Sequence, residues 1–410
     1  MPSNSYTFFE NAVALCAVGA EKIVSNELRK LGLKIIDSGF GRVRFQADIT
    51  GLYRSLMALR VADRVLLEAA LFPAYDFDDL FEGVRHQPWE EYIPPKMGLR
   101  VAKVRSNRSA LKAATSIQAV VHKAAAERLC VKRGMSRLPD HGDDAELRVY
   151  IEKDQVSVLL DLSGDPLFKR GYRSWGGIAP LRETTAAAII LSSGWRRKFP
   201  LYDPFCGSGT IAVEAAMYAW DMAPGLGRHF ALEQLLVANK GIQRDVREEL
   251  VSKVDFSRHV RIAGSDADSH SIAAAKSNMR HAIALSSRQE REGEAAAAKA
   301  PPPEVAFNIL PMSAVTNPFA GTAAADAETM GAETGFIITN PPYGNRLGDI
   351  ESSEKTYAEM GCLAGSFPGW KLAVITDHAG FESFFGKKAD SCREITNGAI
   401  RSYLYQYEKL

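Results

Sequence analysis

The stretch Asp203-Pro-Phe-Cys-Gly207-Ser-Gly209-Thr210 stands between a short apolar run and a helical pattern over Ile211 to Trp220. Glycines at such a strand-to-helix turn let backbone amides approach a ligand where side chains would block it. The turn therefore predicts a binding crevice at the carboxyl end of a central strand in a parallel sheet. The same pattern is compatible with a dinucleotide site, a methyl-donor site or a structural turn, and it does not separate them.

The sequence beyond this turn argues against a dinucleotide. Such a site places an acid about 20 residues after the glycines, whereas the next apolar run ends much later, at Gly264-Ser-Asp266-Ala-Asp268. An acid at the end of a second strand can still accept hydrogen bonds from both ribose hydroxyls of an adenosyl ligand. We predict this role for Asp266 and predict that Asp268 caps the next helix. The alternative is that both acids are helix caps.

From residue 199 onward, short apolar runs alternate with helical patterns, which indicates a parallel sheet with helices on both faces. The last segment, Cys392 to Tyr407, holds two alternating runs joined at Asn397-Gly398, a strong hairpin signal. The predicted fold class is α/β and Rossmann-like, with a seven-stranded sheet that ends in an antiparallel hairpin. The predicted parallel strands are 200–203, 260–265, 305–310, 335–339 and 371–376, with surface insertions at 286–304 and 321–333.

The tetrapeptide Asn340-Pro341-Pro342-Tyr343 follows one of these runs and is the candidate catalytic centre. Two prolines remove two amide donors and leave carbonyl oxygens free to face a ligand. The Asn340 side-chain oxygen and the Pro341 carbonyl can accept the hydrogens of an exocyclic amine, so that the nitrogen lone pair points at a methyl donor. Tyr343 offers a ring on which an unstacked base can rest. The alternative is a Pro-Pro turn that merely ends a strand.

Composition indicates soluble globular material in two or three domains, since the 410 residues are 46% hydrophobic and 24% charged. We expect a cytoplasmic protein without a membrane span, because no signal peptide and no sufficiently long apolar stretch occur. Five dispersed cysteines without a Cys-x-x-Cys pair favour reduced thiols over disulfides or a zinc site. Cys206 is expected to pack in the turn rather than act as a nucleophile, and an activated methyl donor requires no metal.

The N-terminal half contains two predicted α+β modules and a basic segment. Between Arg100 and Arg137 the chain has ten basic residues against the single acid Glu127. This segment predicts a polyanion-binding surface, and the alternative is a merely solvated helix face. The candidate contacts are Lys103, Arg105, Arg108, Lys112, Lys123, Arg128, Lys132, Arg133 and Arg137.

Five motifs follow one another along the chain: Arg170-Gly-Tyr-Arg173, Ala179-Pro-Leu-Arg-Glu-Thr184, Asp203 to Thr210, Ala223-Pro-Gly-Leu226 and Asn340-Pro-Pro-Tyr-Gly344. This combination resembles the bacterial RlmL/YpsC-type methyltransferases, which modify the N2 amine of a guanosine in large-subunit ribosomal RNA. The resemblance implies a ferredoxin-like domain over 1–60, a THUMP RNA-binding domain over 61–165 and a class I methyltransferase domain over 166–410. The THUMP part of the resemblance rests on Ser109-Ala-Leu to His122-Lys-Ala-Ala.

The resemblance also implies which residues bind S-adenosylmethionine and which bind RNA. The sequence departs from the family pattern at two positions. Relatives usually have an acid or amide near the third strand that contacts adenine, whereas this sequence has Leu310-Pro-Met-Ser313, so we expect backbone groups or Ser313 to recognise adenine. Relatives usually have glutamate where this sequence has Asn345. Arg173 joins the basic segment as an expected RNA contact. The expected cofactor residues are Thr184, Asp203, Pro204, Phe205, Gly207, Ser208, Gly209, Thr210, Asp266, Ala267 and Ser313.

The function that these patterns favour is methylation of a guanosine N2 amine in 23S ribosomal RNA, with free RNA or a ribosome assembly intermediate as partner. Three alternatives stay open. They are the same chemistry on transfer RNA, a non-catalytic RNA-binding or ribosome assembly factor, and a DNA adenine methyltransferase, which shares the logic of the tetrapeptide but does not need the N-terminal modules.

Overall fold

The computed structural model describes residues 8–139, 142–173, 181–287, 304–320, 334–343, 349–398 and 400–410, and it contains two seven-stranded sheets. Both insertions predicted at 286–304 and 321–333 lie almost wholly outside the described residues. Within the described part of the chain, no helix is long and apolar enough to cross a membrane.

The first sheet begins with a βαββαβ unit whose strand order, β2-β3-β1-β4, is that of ferredoxin-like folds. Apolar side chains of α1 and α2 pack on it, for example Leu28 and Leu52, which are fully buried. The unit consists of β1 (Phe8–Leu15), α1 (Glu21–Lys30), β2 (Lys34–Gly39), β3 (Arg42–Asp48), α2 (Ile49–Ala58) and β4 (Arg64–Pro73).

The second module extends the same sheet, and this differs from the division expected at residue 60. Strand β4 pairs with β1 on one edge, where Leu67 faces Ala12, and with β7 on the other, where Leu67 faces Leu160. Both rows of its backbone hydrogen-bonding groups are thereby satisfied. The added elements are α3 (Phe77–Arg85), β5 (Gly98–Asn107), α4 (Ala114–Arg133), β6 (Asp144–Glu152) and β7 (Gln155–Asp161).

The second sheet has the order β10-β9-β8-β11-β12-β14-β13 and confirms the predicted architecture. The five strands β10, β9, β8, β11 and β12 are parallel, and β14 and β13 form the antiparallel hairpin. Its strands are β8 (Leu201–Asp203), β9 (Ile262–Asp266), β10 (Ala306–Ile309), β11 (Phe336–Thr339), β12 (Lys371–Thr376), β13 (Ser391–Asn397) and β14 (Ile400–Tyr407).

Helices cover both faces of this sheet. They are α5 (Glu183–Ser192), α6 (Thr210–Ala219), α7 (Lys240–Ser252), α8 (Ser269–Ser287), α9 (Asp349–Glu359), α10 (Leu363–Ser366) and α11 (Phe381–Phe385). The hairpin turn starts one residue later than predicted, because Asn397 still pairs with Ile400. Gly398 takes φ +66° there, a conformation that favours glycine.

Buried polar contacts join the two sheets. Arg170, only 1% exposed, donates to the Arg60 carbonyl and, across 3.4 Å, to the Glu214 carboxylate on α6. Arg60 in turn donates to the Met222 carbonyl across 2.7 Å. Since buried charges are costly unless they are paired, this contact holds the ferredoxin-like unit in one position against the second sheet.

Candidate active site

The glycine turn connects β8 to α6 and leaves space above its backbone. Gly207 and Gly209 have φ of +50° and +80°, a region that side chains disfavour. A Cβ at Gly209 would lie 2.9 Å from the Cβ of Ala275 on α8, so glycine is needed there for close packing. A Cβ at Gly207 would meet nothing within 4 Å, so a ligand can approach the backbone on that side.

Asp266 lies at the end of β9, beside the turn. Its carboxylate accepts hydrogen bonds from the Gly207 amide at 2.9 Å and from the Asp268 amide at 2.9 Å. The Asp268 side chain instead caps α8, accepting from the Ser271 amide at 3.0 Å and its hydroxyl at 2.8 Å. These hydrogen bonds lower the pKa of Asp268. The two acids therefore differ in role, and Asp266 faces the turn.

Asp203 ends β8 and lies beneath the turn, with 1% exposure. Its carboxylate accepts a hydrogen bond from the Thr339 hydroxyl at 2.6 Å and from the Phe205 amide at 3.2 Å. Burial raises the pKa of Asp203 to about 7, because these hydrogen bonds only partly offset the loss of hydration. The carboxylate thus joins the turn to β11 from below.

The Asn340 loop follows β11 at the same edge of the sheet. Among the described residues, the Asn340 Oδ1 atom is buried and has no hydrogen-bond partner. Such an acceptor is costly unless a ligand completes it. Pro341 is buried, Pro342 is exposed, and Tyr343 is half-buried.

Tyr357 of α9 holds this loop, a role that the sequence patterns did not indicate. Its hydroxyl donates to the Pro342 carbonyl at 3.0 Å and lies 2.9 Å from the Thr376 hydroxyl at the end of β12. The Tyr357 side chain is fully buried. One signal was available: Thr376 is a polar residue that ends an apolar run.

Arg173, one of the expected RNA contacts, lies by the glycine turn. It donates to Glu183 at 2.9 Å and to the Thr210 hydroxyl, at the start of α6, at 3.0 Å. Within the described part of the chain, its Nη1 atom is buried without a hydrogen-bond partner. The neighbouring Thr184 is also buried, and its hydroxyl donates to Asp63 at 2.6 Å.

The remaining expected cofactor residues surround the turn. Ser208 accepts a hydrogen bond at its carbonyl from the Asn278 side chain at 2.9 Å. Pro204 is buried, Phe205 is half-buried, and Ala267 and Ser313 are exposed beyond β9 and β10. Cys206 is buried, which raises the pKa of its thiol, as expected for a packed cysteine.

Two of the expected RNA contacts in the basic segment have partners within their own module. Arg128 pairs with Glu90 at 2.5 Å, and Arg133 donates to the Ile93 carbonyl. Both are among the expected RNA contacts, and each guanidinium group already has a partner within the protein. The expected contacts that are exposed are Lys103, Arg105, Arg108, Lys112, Lys123, Lys132 and Arg137.

The strand order, the glycine turn and the Asn-Pro-Pro-Tyr loop together define a class I methyltransferase. The chain belongs to the family described as "RMKL-like, methyltransferase domain", which matches residues 170–305 and 316–406. Residues 11–66 match the RlmL ferredoxin-like domain, which extends past residue 60 into β4.

Relatives of known name share this family. The chain is 32% identical over 398 residues to YpsC of Bacillus subtilis (strain 168), a candidate RNA methyltransferase, covering 96% of this chain and 95% of YpsC. It is 31% identical to ribosomal RNA large subunit methyltransferase K/L of Cellvibrio japonicus (strain Ueda107), covering 96% of this chain. It spans about half of that relative, 50% of its length.

Two solved structures have the same fold at higher identity. SMU.472, a candidate methyltransferase in complex with SAH, superposes with a TM-score of 0.82 at 34% identity, covering 98% of both chains. A Listeria monocytogenes str. 4b F2365 protein described as a candidate N6-adenine-specific DNA methylase superposes with a TM-score of 0.83 at 35% identity, covering 98% of this chain and 96% of that one.

Proposed function

We propose that this protein transfers the methyl group of S-adenosylmethionine to the exocyclic N2 amine of a guanosine in 23S ribosomal RNA. The observation that carries the proposal is the buried Asn340 Oδ1 atom, which has no hydrogen-bond partner among the described residues and lies on a loop held by Tyr357. A buried oxygen of this kind is suited to accept a hydrogen from an amine. An amine of a base is a poor nucleophile, so its orientation limits the reaction.

The residues around the glycine turn fit the proposed cofactor. Each Asp266 oxygen accepts one backbone hydrogen bond and retains a lone pair for a ribose hydroxyl. The open side of Gly207 admits the ligand. The Arg173 Nη1 atom, which has no hydrogen-bond partner in the described part of the chain, would pair with the carboxylate of the methionine part. When bound, the cofactor supplies an activated methyl group on its sulfonium, and the SAH complex of SMU.472 supports this assignment.

The loop residues would handle the base. Asn340 would accept one amine hydrogen and thereby direct the nitrogen lone pair toward the cofactor side. Tyr343 would stack against the base, and the buried Pro341 stiffens the loop between them. A preorganised acceptor of this kind avoids rearrangement during the reaction, so positioning accounts for most of the rate.

RNA is favoured as substrate by the exposed cations of the basic segment, since phosphate contacts give affinity without sequence information. The names of YpsC and of the K/L relative support RNA as well. The name of the Listeria protein points to adenine in DNA instead. An Asn-Pro-Pro-Tyr loop can serve either amine, so the test has to include both polymers.

Mass spectrometry of nucleosides from a deletion strain tests the proposal. We expect N2-methylguanosine to disappear from one position of 23S ribosomal RNA and to return with a plasmid copy of the wild-type chain. A loss confined to transfer RNA would contradict the ribosomal assignment. Loss of N6-methyladenine from DNA, with unchanged RNA, would overturn the choice of polymer.

A further inference from the structure

Phe40 has an unusual position at the turn between β2 and β3. Its side chain is 97% exposed, and its backbone has φ +49°. Bulky residues rarely adopt positive φ, and large apolar side chains are usually at least partly covered. Neither property stabilises the ferredoxin-like unit. Strained, exposed residues of this kind occur where a ligand is bound.

A cavity lies beside the Phe40 ring. It is largely open to solvent, and its volume is about 600 Å³. Exposed Lys22 and Arg29 of α1 line it together with Phe40. The one lining acid, Glu21, accepts hydrogen bonds from the Gly19 amide at 2.9 Å and the Gly41 amide at 2.6 Å, so its charge is engaged in the wall.

This cavity lies at the active-site edge of the second sheet. Val18, a lining residue, donates from its amide to the Thr396 hydroxyl at 3.1 Å and accepts from the Thr396 amide at 3.3 Å. Thr396 pairs with Arg401 next to the hairpin turn. Because β14 runs antiparallel to β12, that turn projects beyond the carboxyl end of β12, the edge where the Asn340 loop begins.

We infer that the cavity is a second RNA subsite, in which an unpaired base stacks on Phe40 and its phosphate is bound by Lys22 and Arg29. The inference rests on the proposed RNA substrate. An aromatic ring beside two cations is the combination that binds single-stranded nucleic acid, because stacking accepts any base and the cations contact the backbone. The subsite would hold a nucleotide flanking the target.

A fluorescence titration tests the subsite without requiring turnover. Phe40→Trp places a tryptophan in the cavity, while the other described tryptophans, Trp89, Trp195, Trp220 and Trp370, are at most 4% exposed. We expect a short single-stranded RNA to quench this variant more strongly than wild type, and Lys22→Ala in the same background to raise the RNA concentration at half-quenching. Equal quenching of variant and wild type would overturn the inference.

Kinetics with the full chain provide the second measurement. Phe40→Ala should raise KM for RNA roughly tenfold, the effect of one lost stacked base, with nearly unchanged kcat. Phe40→Trp should retain the wild-type KM. Ile36→Ala is the matched control, since Ile36 is 44% exposed on β2 but does not line the cavity.

The outcomes separate the subsite from the proposed function. An unchanged KM for Phe40→Ala on an RNA that wild type methylates would reject the subsite alone. Absence of methylation of any RNA by wild type would reject the proposed function, and the quenching titration would then decide the subsite. Self-association of RNA-free wild type that Phe40→Ala abolishes, without RNA quenching, would assign Phe40 to a contact between copies instead.

Discussion

The Thr339 hydroxyl donates a hydrogen bond to the Asp203 carboxylate across 2.6 Å, joining the last residue of β11 to the last residue of β8. These two strands carry the Asn340 loop and the glycine turn, respectively. One buried hydrogen bond therefore sets the spacing between the proposed methyl-donor site and the proposed amine site.

The protonation of Asp203 should make stability depend on pH. Its pKa rises from 3.8 to about 7 on folding, so the folded chain binds the extra proton between these values and loses stability as the pH rises through them. Asp203→Asn mimics the protonated acid and should show a smaller loss between about pH 4 and about pH 7, on the order of 1.4 kcal/mol per unit of pKa shift removed. Urea unfolding of both proteins measures the difference. An identical loss in the variant would contradict the assignment.

Asn340→Ala should abolish methyl transfer while preserving cofactor binding. The substitution removes the buried acceptor but no contact of the glycine turn, so we expect kcat to fall at least about 100-fold, as when an oriented hydrogen-bonding group is lost. Calorimetric titration with S-adenosylmethionine serves as the control. A variant with wild-type turnover would remove Asn340 from the reaction centre.

Tyr357→Phe should reduce activity through the loop alone. It deletes the hydroxyl that donates to Pro342, at a cost of about 1 kcal/mol in stability. Tyr405→Phe is the matched control, because the Tyr405 hydroxyl donates at 2.8 Å to the Ala379 carbonyl, outside the loop. We expect similar unfolding midpoints for both variants and a lower kcat only for Tyr357→Phe. Equal turnover in the two variants would show that the loop does not depend on this hydroxyl.

Arg173→Leu should weaken S-adenosylmethionine binding. The guanidinium contacts Thr210 beside the glycine turn, and its Nη1 atom is buried without a partner in the described structure. We expect at least a tenfold rise in the dissociation constant, about 1.4 kcal/mol for one charge-assisted hydrogen bond. Calorimetry measures it, with Arg173→Lys as a partial rescue. An intact cofactor affinity together with weaker RNA binding would restore the role expected from the sequence.

Lys103→Ala should change the salt dependence of RNA binding and leave cofactor binding unaltered. Lys103 is exposed on β5, and each lost phosphate contact reduces the slope of log K against log salt by about 1. Arg128→Ala is the informative comparison, because Arg128 already pairs with Glu90. Filter binding over a salt series should give a reduced slope only for Lys103→Ala, and the reverse order would contradict the proposed surface.

The second sheet could be predicted because its parallel strands are apolar throughout. Its two loops could be predicted because each follows a strand and has a short, distinctive motif. Thr339, in contrast, belongs to a predicted strand, yet its bond to Asp203 spans 136 positions that no local pattern connects. The contact between Tyr357 and Pro342 was not predicted for the same reason, because the two residues lie in different segments of the chain. The contacts of Arg173 with Glu183 and Thr210 were not predicted either, because charge alone does not reveal which partners a side chain has.

Strand β4 makes the N-terminal half indivisible, because its two edges are bonded to β1 and to β7. A cut at residue 60 would expose an unpaired strand edge on each fragment, and such edges promote aggregation. Exchange of modules between relatives would therefore succeed only when all seven strands of the first sheet are transplanted together. The seven strands of the first sheet therefore form one folding and engineering unit.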